Sequence, residues 1–184
     1  EVHARAMREV ILPTLKGMEK EGTPYTGFLY AGLMIDAHGA PRVVEFNCRM
    51  GDPETQPIMM RLKSDFLDLL EHAVDGTLDR AEAEWDRRAA LGVVLAAAGY
   101  PDTPRKGDAI AGLPKGLDDC HVFHVGTAEK DGAVVTAGGR VLCVTALGEN
   151  VKLAAERAYE VAAGISFEGM QYRRDIGHRA IHRK

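Results

Sequence analysis

Glu45, Asn47 and Arg49 stand at alternate places in RVVEFNCRMGDPETQ, the stretch from Arg42 to Gln56. In an extended strand, alternate side chains share one face, about 6.6 Å apart along the chain. A carboxylate and an amide carbonyl so placed are hard oxygen donors of the kind Mg²⁺ prefers. That ion takes one or two protein ligands and completes its shell with water and substrate phosphates. Arg49 adds a planar fork suited to a phosphate or carboxylate oxygen. The turn that follows, Gly51-Asp52-Pro53-Glu54, brings two more carboxylates. Nucleotide chemistry assisted by a divalent cation is the natural candidate.

A plainer reading is an outward strand face on which polar residues alternate with core residues. Two features weigh against it. Arg42, Val44, Phe46 and Cys48 form the opposite row and call for a core, while Val43 suggests that the Glu45 row is itself half covered. Asparagine is also depleted in strands, and solubility alone gives no reason for it. The pattern by itself leaves both readings open.

The elements that would hold this strand are legible in outline. Val2, Met7, Val10, Ile11, Leu15 and Met18 recur at helical spacing, with Pro13 expected to kink that helix or mark a turn in it. Tyr25–Ile35 reads as a buried strand. DAHGAP reverses the chain, and RVVEFNCR returns as the second arm of an antiparallel hairpin. TQPIMMRLK suggests a short helix. Ser64 is placed to cap another over DFLDLLEHAVDG, with Phe66, Leu67, Leu70 and Val74 on one face. TLDRAEAEWDRRA is charged and reads as a linker or a solvated helix. ALGVVLAAAGYP opens a second set of strands, DTPRKGDAIAGLPKGLDD is rich in loop residues, and CHVFHVG to CVTALG gives two or three strands with reversals at Asp131-Gly132 and Gly138-Gly139. ENVKLAAERAYEVAAGI is a helix with Val151, Ala154, Ala155, Ala158, Tyr159 and Ala162 on its buried side. The order argues for an α+β architecture in two units.

Composition narrows the function classes. The 184 residues carry a net charge of −4, with 46% hydrophobic and 27% charged residues, enough for a real core without staples. Acidic and basic residues are interspersed, and the basic end YRRDIGHRAIHRK reads as a solvated terminus, so neither a nucleic-acid partner nor a membrane is expected. Cys48, Cys120 and Cys143 lie far apart without a disulfide framework, which suits a reducing cytoplasm. His121 and His124 sit near Cys120, but on a strand His121 faces away from the other two, so no transition-metal site is expected there. The glycines of GDAIAGLPKG and TAGGRV belong to turns rather than to a phosphate loop. Met34, Met50, Met59 and Met60 read as core filler.

GFLYAGLMID followed by VVEFNCRMGDPETQ resembles the closing part of the ATP-grasp core of the phosphoribosylamine–glycine ligase (glycinamide ribonucleotide synthetase) family. Glu-x-Asn-x-Arg is shared widely among ATP-grasp enzymes; the continuation CRMGDPETQ is far more specific. LGVVLAAAGYP, GGRVLCVTALG and RRDIGHRAI are similar to the carboxy-terminal domain of the same family. The resemblance implies the C-terminal part of an ATP-grasp core, antiparallel strands with helices, over residues 1–74. A linker over 75–88 and a small mixed α/β domain over 89–184 would follow. It implies a ligase that uses ATP as co-substrate to join glycine to 5-phosphoribosylamine through a glycyl phosphate, in de novo purine synthesis. By resemblance Glu45 and Asn47 are ligands of Mg²⁺ or Mn²⁺, and Arg49 binds phosphoryl oxygen or the glycine carboxylate. Asp52 and Glu54 are partners for a substrate amine by our own inference.

The same resemblance implies that an amino-terminal part of the polypeptide, with most of the adenine pocket, lies outside these residues. An opening without methionine, inside a helix, agrees with that expectation. The chain alone is then expected to be inactive and prone to self-association. Many ATP-grasp enzymes carry a further acidic ligand on the preceding strand; Leu33 falls at or near that place, and Asp36 lies in the turn beyond it. Arg173, Arg174 and Arg179 match a family motif for which a substrate-phosphate contact and a structural ion pair both remain open. Two other readings stand beside the leading one: a different ATP-grasp ligase or carboxylase, and a non-catalytic assembly module that keeps the strand for structure.

Overall fold

A computed structural model describes residues 1–182, which form two compact units interleaved along the chain. The first combines Glu1–Gly51 with Phe66–Glu82; the second combines Asp52–Asp65 with the chain from Ala83 onward.

In the first unit, α1 (Val2–Ala6) runs through a π-helical turn (Met7–Ile11) into α2 (Leu12–Lys20). Pro13 lies in the first turn of α2, where a residue without an N–H is tolerated. The wider π register falls immediately before it, so the helix passes the proline without ending. Strands β1 (Tyr30–Ile35) and β2 (Pro41–Asn47) pair antiparallel, as their proximity in sequence suggests. Asp36 makes the reversal: its Oδ1 accepts from the amides of His38 and Ala40, each at 2.9 Å. The Ala40 amide is the main reason its carboxyl sits below the usual range. Arg5 ties the hairpin tip to the helix, donating to the His38 carbonyl at 3.0 Å and pairing with Glu9.

Two expectations fail in this unit. β1 begins at Tyr30 rather than Tyr25, because Gly27 at φ 142° breaks the extended run and the Tyr25 hydroxyl folds back onto the Phe28 carbonyl at 2.7 Å. The row opposite Glu45 lacks the expected core: Val44 is 68% and Phe46 41% exposed, and Met34 on β1 is 64% exposed. A two-stranded ribbon cannot cover both of its own faces. The apolar side of α4 (Phe66–Val74) is likewise open, with Leu67 and Val74 exposed, although Phe66 meets the Phe28 ring at 6.1 Å.

The second unit holds a sheet of order β3-β7-β4, formed by Ala89–Ala96, Arg140–Gly148 and Cys120–His124, all antiparallel. β7 is central and buried at almost every position because both of its faces are covered. Leu142, Val144 and Ala146 pack with Ala154, Ala158 and Ala162 of α5 (Val151–Ala163) and with Ile165. The other face takes α3 (Thr55–Arg61): Pro57 lies beside Gly92, in a space bounded by Cys143 and Thr145. Burial pushes the Cys143 thiol up. Asn150 caps α5, its side chain accepting from the Leu153 amide at 3.0 Å. A second ribbon, β5 (Thr127–Lys130) and β6 (Ala133–Thr136), turns at Asp131-Gly132, both at positive φ as a two-residue hairpin turn requires.

The charged stretch after α4 forms a 3₁₀ turn at Leu78–Arg80 and then an extended segment rather than a solvated helix. Trp85 bridges to Leu62, and the Lys63 amide donates to the Glu84 carbonyl at 2.9 Å. The Ser64 hydroxyl accepts the Glu84 amide at 2.6 Å. A short helix α6 (His178–Ile181) closes the described chain. No helix among the described residues is long and apolar enough to cross a membrane.

Gly112 shows how tightly this unit closes. At φ 75° it follows the Ala111–Ser166 bridge, and a β-carbon there would run into the Gly164 carbonyl. Gly112→Ala is expected to lower unfolding stability by about 3 kcal/mol, combining left-handed strain with a backbone clash. A urea melt measures it; an unchanged midpoint would show that the loop relaxes freely.

Candidate functional site

Glu45 and Asn47 lie opposite Gly32 and Tyr30 in the hairpin, so they share a row at alternate positions of β2. The row does not extend as far as the alternation suggests. A one-residue offset at Val44, between the pairs Gly32–Glu45 and Leu33–Val43, separates Val43 from it. Arg49 lies beyond the strand in a bend, yet it returns to the row: its Nη2 donates to the Asn47 Oδ1 at 3.4 Å and its Nη1 to the Met50 carbonyl at 2.9 Å. An amide oxygen has two lone pairs, so accepting from Arg49 leaves Asn47 another for a cation.

Gly32 gives Glu45 its room. A β-carbon at position 32 would sit 3.1 Å from the Glu45 Cγ, closer than a side chain tolerates without shifting. Glu45 is exposed and Asn47 half-buried. Two oxygen donors on one exposed row are a partial ligand set that suits Mg²⁺ or Mn²⁺ bound together with nucleotide phosphate. No acid faces the pair from β1: Leu33 pairs with Val43, and Asp36 is taken up by the turn. Among the described residues no group of three or more His, Cys, Asp and Glu side chains could hold a metal ion, so a metal here would draw on Asn47 and on substrate.

Asp52 and Glu54 belong to the second unit. Both are exposed, and Asp52 is anchored by a residue that sequence reasoning missed. Arg140, which opens β7, donates from Nη1 to the Asp52 carbonyl at 2.6 Å and lies 3.3 Å from its Oδ2. Its Nε donates to the Tyr100 hydroxyl at 2.9 Å. That bond first, then the charges of Asp52 and Glu54, holds the Arg140 guanidinium above its usual range. No local pattern reveals a partner 88 residues away; the only trace is an arginine directly after the Gly138-Gly139 reversal.

The remaining candidates make local contacts. His121 stacks edge-on against Phe123 at 4.5 Å, His124 contacts Thr127, and Cys120 turns into the core. Arg173 pairs with Asp175 at 2.8 Å, and Arg174 lies over the Tyr172 ring.

Two family models match the chain. Phosphoribosylglycinamide synthetase, ATP-grasp (A) domain, covers residues 1–55, and phosphoribosylglycinamide synthetase, C domain, covers residues 90–179. The phosphoribosylamine–glycine ligase of Ralstonia nicotianae is 64% identical over 182 residues, 99% of this chain and 43% of the relative. That of Haemophilus influenzae is 59% identical over 185 residues, again 43% of its length. The chain thus spans under half the length of the curated relatives it matches. The crystal structure of phosphoribosylamine–glycine ligase from Thermotoga maritima superposes with a TM-score of 0.81 at 43% identity, covering 94% of this chain and 42% of that one. The biotin carboxylase domain of Hydrogenobacter thermophilus 2-oxoglutarate carboxylase is similar in fold alone, with a TM-score of 0.59 at 13% identity.

Proposed function

Because this chain belongs to the phosphoribosylglycinamide synthetase family, we propose that it carries the metal-binding strand and carboxy-terminal domain of a phosphoribosylamine–glycine ligase. The reaction would join glycine to 5-phosphoribosylamine with ATP, giving glycinamide ribonucleotide, ADP and phosphate, a step of de novo purine synthesis. The observation that carries the reading is the exposed Glu45–Asn47 row opposite Gly32, with Arg49 folded back against it.

A carboxylate is a poor electrophile, so glycine must be activated first. Its carboxylate oxygen attacks the γ-phosphorus of ATP, the bond to the β-phosphate oxygen breaks, and ADP leaves. The amine nitrogen of the ribosylamine then attacks the acyl carbon of glycyl phosphate, phosphate departs, and the nitrogen gives up a proton. A divalent cation, Mg²⁺ or Mn²⁺, neutralises charge on the phosphates when bound. The protein's part is positioning and electrostatic stabilisation. Glu45 supplies an anionic oxygen and Asn47 a neutral one to hold that cation. Arg49 binds a phosphoryl oxygen or the glycine carboxylate, and Asp52 and Glu54 accept hydrogen bonds from a substrate amine. Three free cysteines, Cys48, Cys120 and Cys143, support placement in a reducing cytoplasm.

Substrate omission tests this reading. A chain of the relatives' full length that carries these residues should release ADP rapidly only with glycine and phosphoribosylamine both present. In heavy-oxygen-labelled glycine, one carboxylate oxygen should pass to the released phosphate. ADP release indifferent to glycine, or driven by bicarbonate, would overturn it.

A further inference from the structure

Arg140 is built to hold Asp52 from two sides. One Nη1 serves both the backbone carbonyl and the Oδ2 of Asp52, at 2.6 and 3.3 Å, so main chain and side chain are fixed together. The guanidinium is itself fixed through Nε by the Tyr100 hydroxyl at 2.9 Å. Tyr100 in turn is held by Gln171, whose Nε2 donates to the carbonyls of Ala97 and Tyr100 at 3.0 and 3.1 Å. Its ring lies against Gly139, where any β-carbon would strike the ring edge.

An exposed ion pair would need none of this support and would be worth little. A rigid fork clamped at its far end does something more specific. It pairs with Oδ2 of Asp52 and fixes the direction of the carboxylate, while Asp52 stays 43% exposed. An ammonium or amine is the group that an oriented carboxylate oxygen recognises.

We propose that Arg140, steadied by Tyr100, is a positioning residue that aims the Asp52 carboxylate at the amine of a substrate. This rests on the proposed ligase reading, in which Asp52 accepts such an amine.

The test is a double-mutant cycle in a chain of the relatives' full length that carries these residues. Arg140→Gln is expected to raise KM for one amine substrate, glycine or phosphoribosylamine, about tenfold, the scale of one charge-assisted hydrogen bond. KM for MgATP and the metal midpoint should stay within about twofold. Tyr100→Phe should raise the same KM by a smaller factor. Added to Asp52→Asn, either change should have almost no further effect, because both act through Asp52. Equal shifts in all three KM values, or effects that multiply with Asp52→Asn, would overturn the proposal. If Arg140→Gln does not fold, the Tyr100→Phe and Asp52→Asn cycle decides the matter alone. Substrate omission on the parent chain, run in parallel, separates the two levels. ADP release indifferent to glycine would sink the ligase reading itself. Release that depends on both amine substrates, with both amine KM values unmoved in the Arg140 and Tyr100 variants, would sink this inference only.

Discussion

Replacing Arg49 by lysine is expected to lower turnover about a hundredfold, the scale of removing one preorganised donor from a transition-state clamp, with little change in stability. The reason is geometric. Arg49 reaches back from a bend beyond β2, placing Nη1 on the Met50 carbonyl and Nη2 on the Asn47 Oδ1. It can therefore steady an amide oxygen and offer its remaining N–H groups to an anion together. An ammonium on a flexible stem keeps the charge and loses the planar fork. Because Arg49 is exposed, its loss leaves no buried partner stranded, and the thermal midpoint should move by no more than about 2 °C. Steady-state kinetics with a thermal melt on the same sample makes the check. An Arg49→Lys variant as active as its parent would reduce Arg49 to a solvated charge.

The larger effect is expected at Glu45. Glu45→Gln nearly preserves shape, so the space that Gly32 leaves for the side chain is still filled. What is lost is the anionic oxygen. The cation is then held more weakly, and charge on the transferred phosphoryl group is less well neutralised. Such a contact strengthens toward the transition state, so its loss lowers turnover itself, by about two to three powers of ten. Asn47→Leu should act in the same direction, since leucine fills similar space without a carbonyl oxygen. Single-turnover ADP formation in both variants measures this chemical step directly.

Period-two spacing makes the Glu45–Asn47 row legible in the sequence itself, because strand geometry leaves alternate residues little choice of face. Arg49 has the spacing to extend the row, but the strand ends at Asn47 and the contact comes from a bend, whose course no alternation encodes. The offset at Val44 is equally hidden, since a bulge inserts a residue without changing its type. Ser64 has the right chemistry for a helix cap and also takes the Glu84 amide, a distant partner that the residue alone cannot report. Val44, Phe46 and Leu67 suggest core because they are apolar; burial depends on what lies across from them. α5 is legible almost in full, because its alanines at helical spacing allow close packing on β7. Arg140 is invisible in the sequence: its role exists only once β7 lies beside the turn at Asp52.

The assignment of β2 as a metal clamp stands or falls on how Glu45 and Asn47 respond to metal. The measurement is glycine- and phosphoribosylamine-dependent ADP release, in a chain of the relatives' full length, across a titration of Mg²⁺ and then Mn²⁺. Glu45→Gln and Asn47→Leu should each move the metal midpoint upward about tenfold or more, and excess metal should restore part of the lost rate. Wild-type rates with an unchanged midpoint in both variants would contradict that assignment.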